Sequence, residues 1–173
     1  MRIRAAQTAD AGSIARVHND SRRTTYVGIM PANHLANLSD ETWEARWEEY
    51  LTPGQFASTT FIAETTGGEI IGFTSGGPER LGDPTFLGEI YAIYLLQDHQ
   101  RRGVGKRLFA AMVQQLRYDG FASMLLWVLE DNFPARRFYE SLGGEQVSRK
   151  TTTFGGTELT EVSYGWKDLA VIA

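Results

Sequence analysis

The chain has 173 residues, with 17 Lys+Arg against 21 Asp+Glu for a net charge of −4, and it has no cysteine. A domain takes roughly 100–200 residues, so residues 1–173 are expected to form a single domain. Its composition, 42% hydrophobic and 22% charged, is that of a globular chain rather than a disordered one. The missing cysteine excludes disulfides, thiolate metal sites and cysteine nucleophiles, and the acidic balance disfavours broad nucleic-acid binding, which needs a basic face. Polar residues follow Met1 too soon for a signal peptide. No run of about 18 apolar residues can cross a bilayer. A cytoplasmic protein without a membrane partner is the expectation.

In chain order, Ile3 falls in a short first strand, and Thr8 is placed to cap a helix running to about Arg23. Gly28, Pro31 and Asn33 break the chain. Ser39 caps a second helix in which Trp43, Trp47 and Leu51 share one face, ended by Thr52-Pro53-Gly54. Thr59 to Thr65 and Glu69 to Ser75 read as a hairpin about Gly67-Gly68. Phe86 to Leu95 is apolar on both faces, as in a strand buried on both sides. Val104, Leu108, Met112 and Leu116 trace a helix that stops at Asp119-Gly120, and Ser123 to Leu129 is another buried strand. Asn132 caps a helix with Pro134 in its first turn, ending at Gly143-Gly144. Val147 to Thr153 and Glu158 to Trp166 form a last hairpin about Gly155-Gly156. The alternation of helices and strands gives an α/β (α+β) fold on a mixed sheet.

Between the buried strand and the striped helix lies Gln97-Asp98-His99-Gln100-Arg101-Arg102-Gly103-Val104-Gly105-Lys106-Arg107. Gly103 and Gly105 permit backbone conformations and close approaches that a side chain would block. Free N–H groups at a helix start form an anion site, and Arg101, Arg102, Lys106 and Arg107 add positive charge, so a phosphate or pyrophosphate group is the natural ligand. No Gly-Lys-Ser/Thr ending follows, which excludes a Walker loop, and Phe109 stands near the third glycine of a dinucleotide fingerprint. A glycine-bearing turn with a solvated basic rim would carry the same letters.

Gln100-Arg101-Arg102-Gly103-Val104-Gly105 resembles the Gln/Arg-x-x-Gly-x-Gly/Ala signature of the GNAT superfamily of N-acetyltransferases. The preceding Glu89-Ile90-Tyr91-Ala92-Ile93-Tyr94-Leu95 resembles that superfamily's fourth strand. Asn132 to Gly143 resembles its Asn-x-x-Ala-x-x-x-Tyr-x-x-x-Gly segment. The close match covers roughly Glu89 to Gly144. The resemblance implies a mostly antiparallel sheet of about seven strands flanked by about four helices, with acetyl-CoA as co-substrate and no metal. It places the coenzyme's pyrophosphate on Arg101, Arg102, Gly103, Val104, Gly105 and Lys106. Its arm would lie along Ile93, Tyr94 and Leu95, with a contact from Asn132, which reads equally as a helix cap.

The same resemblance implies direct transfer of the acetyl group to a primary amine. A lysine-type amine, with a pKa near ~10.4, is almost fully protonated at pH 7 and must lose a proton. Glu89 stands where histone-acetylating relatives carry their glutamate base, and a carboxylate in so apolar a strand fits that role unless it faces water or pairs with an arginine. Tyr139 stands where relatives place the acid that serves the leaving thiolate, and reads otherwise as a core aromatic. Trp127 replaces the glutamate that ribosomal-protein acetyltransferases carry on the next strand. Asn19 to Leu51 and Thr151 to Glu161 would wall the acceptor, with Tyr26 as the candidate contact. The acidic residues Asp40 to Glu49 either draw in a cationic amine or form a solvated helix face. The acceptor is expected to be a small-molecule or peptide amine, a homodimer is compatible with the resemblance, and a catalytically silent coenzyme A-binding regulator is the alternative function.

Overall fold

The computed structural model describes residues 1–172. Seven strands, β1 (Arg2–Ala5), β2 (Thr59–Glu64), β3 (Ile70–Pro78), β4 (Gly88–Leu95), β5 (Met124–Leu129), β6 (Glu145–Phe154) and β7 (Thr157–Trp166), form one sheet in the order β1-β2-β3-β4-β5-β7-β6. All neighbours are antiparallel except β4 and β5, which are parallel. The helices are α1 (Ala11–Thr25), α2 (Ala32–Ala36), α3 (Asp40–Tyr50), α4 (Val104–Tyr118) and α5 (Phe133–Ser141).

Each face of the sheet is covered by a helical stripe. Leu108, Phe109, Met112 and Leu116 of α4 are essentially inaccessible and pack with Ile71, Ile90 and Met124 on one face. Ile14 and Val17 of α1 join Trp47 of α3 against Phe73 on the other. Burying each such side chain contributes about 1.5–3 kcal/mol, which makes these two layers the rigid frame of the molecule.

Two local differences from the sequence reading have plain causes. The break at Gly28–Asn33 runs into a five-residue helix, α2, which Pro31 opens and whose Leu35 is buried; it is too short to show an apolar period. At the entry to α1, Thr8 does not cap. A single 3-10 turn, Thr8–Asp10, leads into α1 and is capped by Gln7, whose N–H donates to Asp10 Oδ2 at 2.7 Å, while the Thr8 hydroxyl turns to the Leu51 carbonyl and Asp10 stands at the N-cap of α1.

The β4–β5 pair positions the site. Its parallel ladder runs only from Gly88–Ile90 to Met124–Leu126. Beyond it, β4 stays paired with β3 as far as Leu95, and β5 with β7 as far as Leu129, so the two strands part while remaining anchored on their outer sides. Tyr91 is the extra residue of a bulge in β4, since Ile90 faces Gly76 and Ala92 faces Ser75. Bulges bend a strand and re-aim its side chains. Glycine is required opposite this one, because a Cβ on Gly76 would lie 2.7 Å from the Glu89 carbonyl oxygen and 2.8 Å from Met112 sulfur.

Candidate active site

The parted strands open a cleft of about 970 Å³. Ile90 to Leu95 line one wall and Leu126 to Val128 the other, with the α4 entrance, α5 and the end of α1 closing it. Beyond the ladder, the inner edge of β4 faces this space rather than another strand, leaving backbone available to an extended amide-bearing ligand.

At one end of the cleft stands the start of α4. Gly103 is its N-cap at φ 78°, and Arg101 is also left-handed at φ 60°. A residue with a Cβ rarely takes such a φ, so the turn that aims the first N–H groups of α4 outward favours glycine at 103. The first ladder bond runs from Arg107 N–H to the Gly103 carbonyl, so the preceding N–H groups remain free for an anion. Arg101, Gly103, Gly105 and Lys106 line the cleft. Two other expected residues do not: Val104 turns its side chain into the core, and Arg102 is exposed outside the cleft. A Cβ on Gly105 would already touch the Phe138 ring at 3.4 Å, so anything larger enters the cleft.

Ile93, Tyr94, Leu95, Asn132, Tyr139 and Tyr26 all line the cleft as well. Asn132 does cap α5, its Oδ1 accepting from the Ala135 N–H at 3.3 Å, while its amide nitrogen makes no bond among the described residues. Tyr139 is buried, and its hydroxyl has no hydrogen-bond partner among the described residues. Burial pushes its pKa above the ordinary phenol value, so it stays a proton donor. The hydroxyls of Tyr26 and Tyr94 are 3.1 Å apart, tying the end of α1 to β4, and burial raises the pKa of both.

Glu89 departs from the expectation of a free base. It is 1% exposed and does not line the cleft. Its carboxylate accepts from Arg80 at Nη2 (2.6 Å), Nε (3.1 Å) and the backbone N–H (3.2 Å). Arg80 in turn lies over the Tyr91 ring, 4.1 Å from its centroid. A forked guanidinium pair answers the burial cost that the sequence leaves open, and it holds the loop after β3 against β4. The acidic face of α3 is not part of the cleft either.

The sequence covers Ser21 only within the broad Asn19 to Leu51 stretch, does not mark Tyr91 as a cleft residue, and reads Trp127 only as the replacement of a glutamate. Both Trp127 Nε1 and Ser21 Oγ are buried without a partner among the described residues. Neither carries a spacing signal, since the cleft exists only because β4 and β5 diverge.

Comparison with known proteins agrees with this geometry. A profile of the Acetyltransferase (GNAT) family matches residues 24–144, spanning the cleft walls and the α4 entrance. The uncharacterized N-acetyltransferase YuaI of Bacillus subtilis (strain 168) is 38% identical over 170 residues, covering 98% of this chain and 95% of that protein. Among solved structures, the ribosomal-protein-alanine N-acetyltransferase of Brucella melitensis superposes with a TM-score of 0.76 at 20% identity, covering 96% of this chain and 99% of that one. The PaiA N-acetyltransferase of Thermoplasma acidophilum, solved in complex with coenzyme A, gives 0.72 at 18% identity, covering 95% and 98%. With the parted-strand fold, the glycine entrance to α4 and a relative matched along almost its whole length, the chain belongs to the GNAT acetyltransferase family.

Proposed function

We propose that the protein is an N-acetyltransferase that moves the acetyl group of acetyl-CoA directly to a primary amine. The observation that carries this reading is the cleft itself, which has free helix N–H groups and two cations at one end and a buried phenol without a partner along its wall. The first turn of α4, with Arg101 and Lys106, would bind the pyrophosphate. The inner edge of β4 at Ile93 to Leu95 and the amide nitrogen of Asn132 would bind the arm. Acetyl-CoA supplies the activated acyl group as a thioester. The neutral amine attacks its carbonyl carbon, a C–N bond forms and the C–S bond breaks. One proton passes from the nitrogen to water, Tyr139 donates one to the sulfur, and the tyrosinate is reprotonated from solvent.

Proton removal through Glu89 requires the Arg80 pair to open. Closed, the pair makes Glu89 an anchor for the loop over Tyr91 rather than a base. A pair of assays tests the whole reading: calorimetry with acetyl-CoA, and thiol release from acetyl-CoA across a panel of amines. Binding with amine-dependent release supports it. Binding without release to any amine points to the silent regulator, and absence of binding removes the coenzyme.

A further inference from the structure

The cleft passes through the sheet, and its two mouths differ in chemistry. Phe138 and Tyr139 of α5 pack in one cluster with Phe109 and Met112 of α4, so both helices cover the same face. The residues of α1 and α3 cover the other. The groups proposed for the coenzyme at the start of α4 and at Asn132 belong to the first face. An amine then reaches the thioester from the second face, past the end of α1.

Four cleft-lining side chains wall that second mouth. Tyr26 and Ile29 stand at the end of α1 and in the turn after it. Tyr94 of β4 packs with the α1 and α3 cluster, whereas its neighbour Ile93 packs with α4. On β5, Leu126 and Val128 belong to the α4 cluster, so strand alternation turns Trp127 between them to the opposite face. Leu129 shares that face and packs with Tyr26 and Ile29, which brings the β5 wall against the end of α1.

Charge is divided between the mouths in the same way. The charged lining residues are Arg101, Lys106 and Arg137, all at the α4 entrance or on α5, and the lining contains no Asp, Glu or His among the described residues. Lys150 Nζ lies 4.1 Å from the Trp127 ring centroid, and Glu161 beside it is engaged by Lys150 at 3.5 Å and Thr152 at 2.6 Å. The second mouth therefore offers aromatic and aliphatic surface and no carboxylate. A diamine carries two charges at neutral pH, and an unpaired one against such a wall is costly. A single ammonium can rest on aromatic faces, and without a carboxylate beside it nothing holds its proton on.

We propose that the acceptor is a monoamine of the arylalkylamine class, its uncharged ring seated among Tyr26, Tyr94 and Trp127 and its primary amine directed inward toward Tyr139. The fate of the amine rests on the acetyl-transfer reading; the seat of the ring does not.

The test compares phenethylamine and tryptamine with cyclohexylethylamine and putrescine. Each is measured both by thiol release from acetyl-CoA and by calorimetric binding to the coenzyme A-loaded protein. At least one aryl amine is expected to exceed putrescine about tenfold or more, and cyclohexylethylamine about threefold or more, in both kcat/KM and affinity. In Tyr26→Leu and in Trp127→Leu the aryl-over-cyclohexyl preference falls below about twofold, with acetyl-CoA affinity retained. Thr25, a half-buried lining residue in the last turn of α1, gives an independent variant. Thr25→Glu places a carboxylate at this mouth and should cut the aryl-over-putrescine preference at least threefold. Aryl-amine binding without thiol release would support the seat and sink the acetyl-transfer reading. Putrescine or cyclohexylethylamine equal to or better than the aryl amines, preferences unchanged in all three variants, or no binding by either aryl amine would overturn the inference.

Discussion

His18, on α1, makes the fold sensitive to acid in a way that can be worked out from its surroundings. Its ring lies against Trp43 (4.2 Å between centroids), Tyr94 (4.9 Å), Phe73 (5.7 Å) and Trp47 (6.0 Å). Its Nδ1 is buried without a partner among the described residues. Burial, reinforced by the nearby Arg22 charge, lowers its pKa to about 3. A depressed folded-state value means that the unfolded chain binds the proton first, so stability is full above the unfolded value near ~6.5 and falls as the pH drops toward about 3. Linkage with these two values gives a loss of about 2 to 3 kcal/mol between pH 6 and pH 4 from this residue alone. Urea denaturation of the wild type and of His18→Leu at pH 6, 5 and 4 isolates that contribution. Carboxylates that pair in the fold, such as Asp10 with Arg4, titrate equally in both proteins and cancel in the difference. The wild type should lose about 2 to 3 kcal/mol more than the variant. Parallel stability curves would refute the reasoning and show that His18 is protonated or hydrated in the fold.

Tyr139→Phe removes the phenol without disturbing the packing around its ring, so kcat should fall at least tenfold and the acetyl-CoA Kd change less than about threefold. Equal losses in both would make Tyr139 a binding residue. Gly105→Leu adds a side chain whose Cβ already lies 3.4 Å from the Phe138 ring, and calorimetry should show acetyl-CoA affinity reduced at least tenfold with the melting temperature little changed. For Glu89, the anchoring role predicts that Glu89→Gln and Arg80→Met both lower thermal stability and leave kcat within about threefold, with Arg80→Met the more costly because it leaves a buried carboxylate without its counter-charge. The exposed Arg80 limits the stability loss to about 1–2 kcal/mol. A hundredfold loss of kcat confined to Glu89→Gln, with a lost acid limb in its pH profile, would restore the base.

The layered frame was legible from sequence because its signals are local. The α4 stripe from Val104 to Leu116 and the continuous apolar run of β5 each imply a buried element on their own, and the glycine spacing at 103 and 105 marks a backbone need at one turn. What escaped depends on contacts between distant segments. Whether Glu89 pairs with an arginine stays open in the sequence, because Arg80 reaches it from the preceding loop and no periodicity announces that ion pair. The Tyr26–Tyr94 bond joins residues 68 apart, and Arg22 of α1 meets His34 of α2 and the Trp43 ring of α3. The bulge at Tyr91 left only an indirect trace, the glycines of β3 that give it room.

The central claim is tested most directly by incubating the protein with carbon-13-labelled acetyl-CoA and an amine panel, then following both free thiol and labelled product by mass spectrometry. The account predicts one labelled N-acetyl product per thiol released, formed only when an amine is present and strongly reduced in Tyr139→Phe. Coenzyme binding without label transfer to any amine, or transfer unaffected by loss of the Tyr139 hydroxyl, would contradict it.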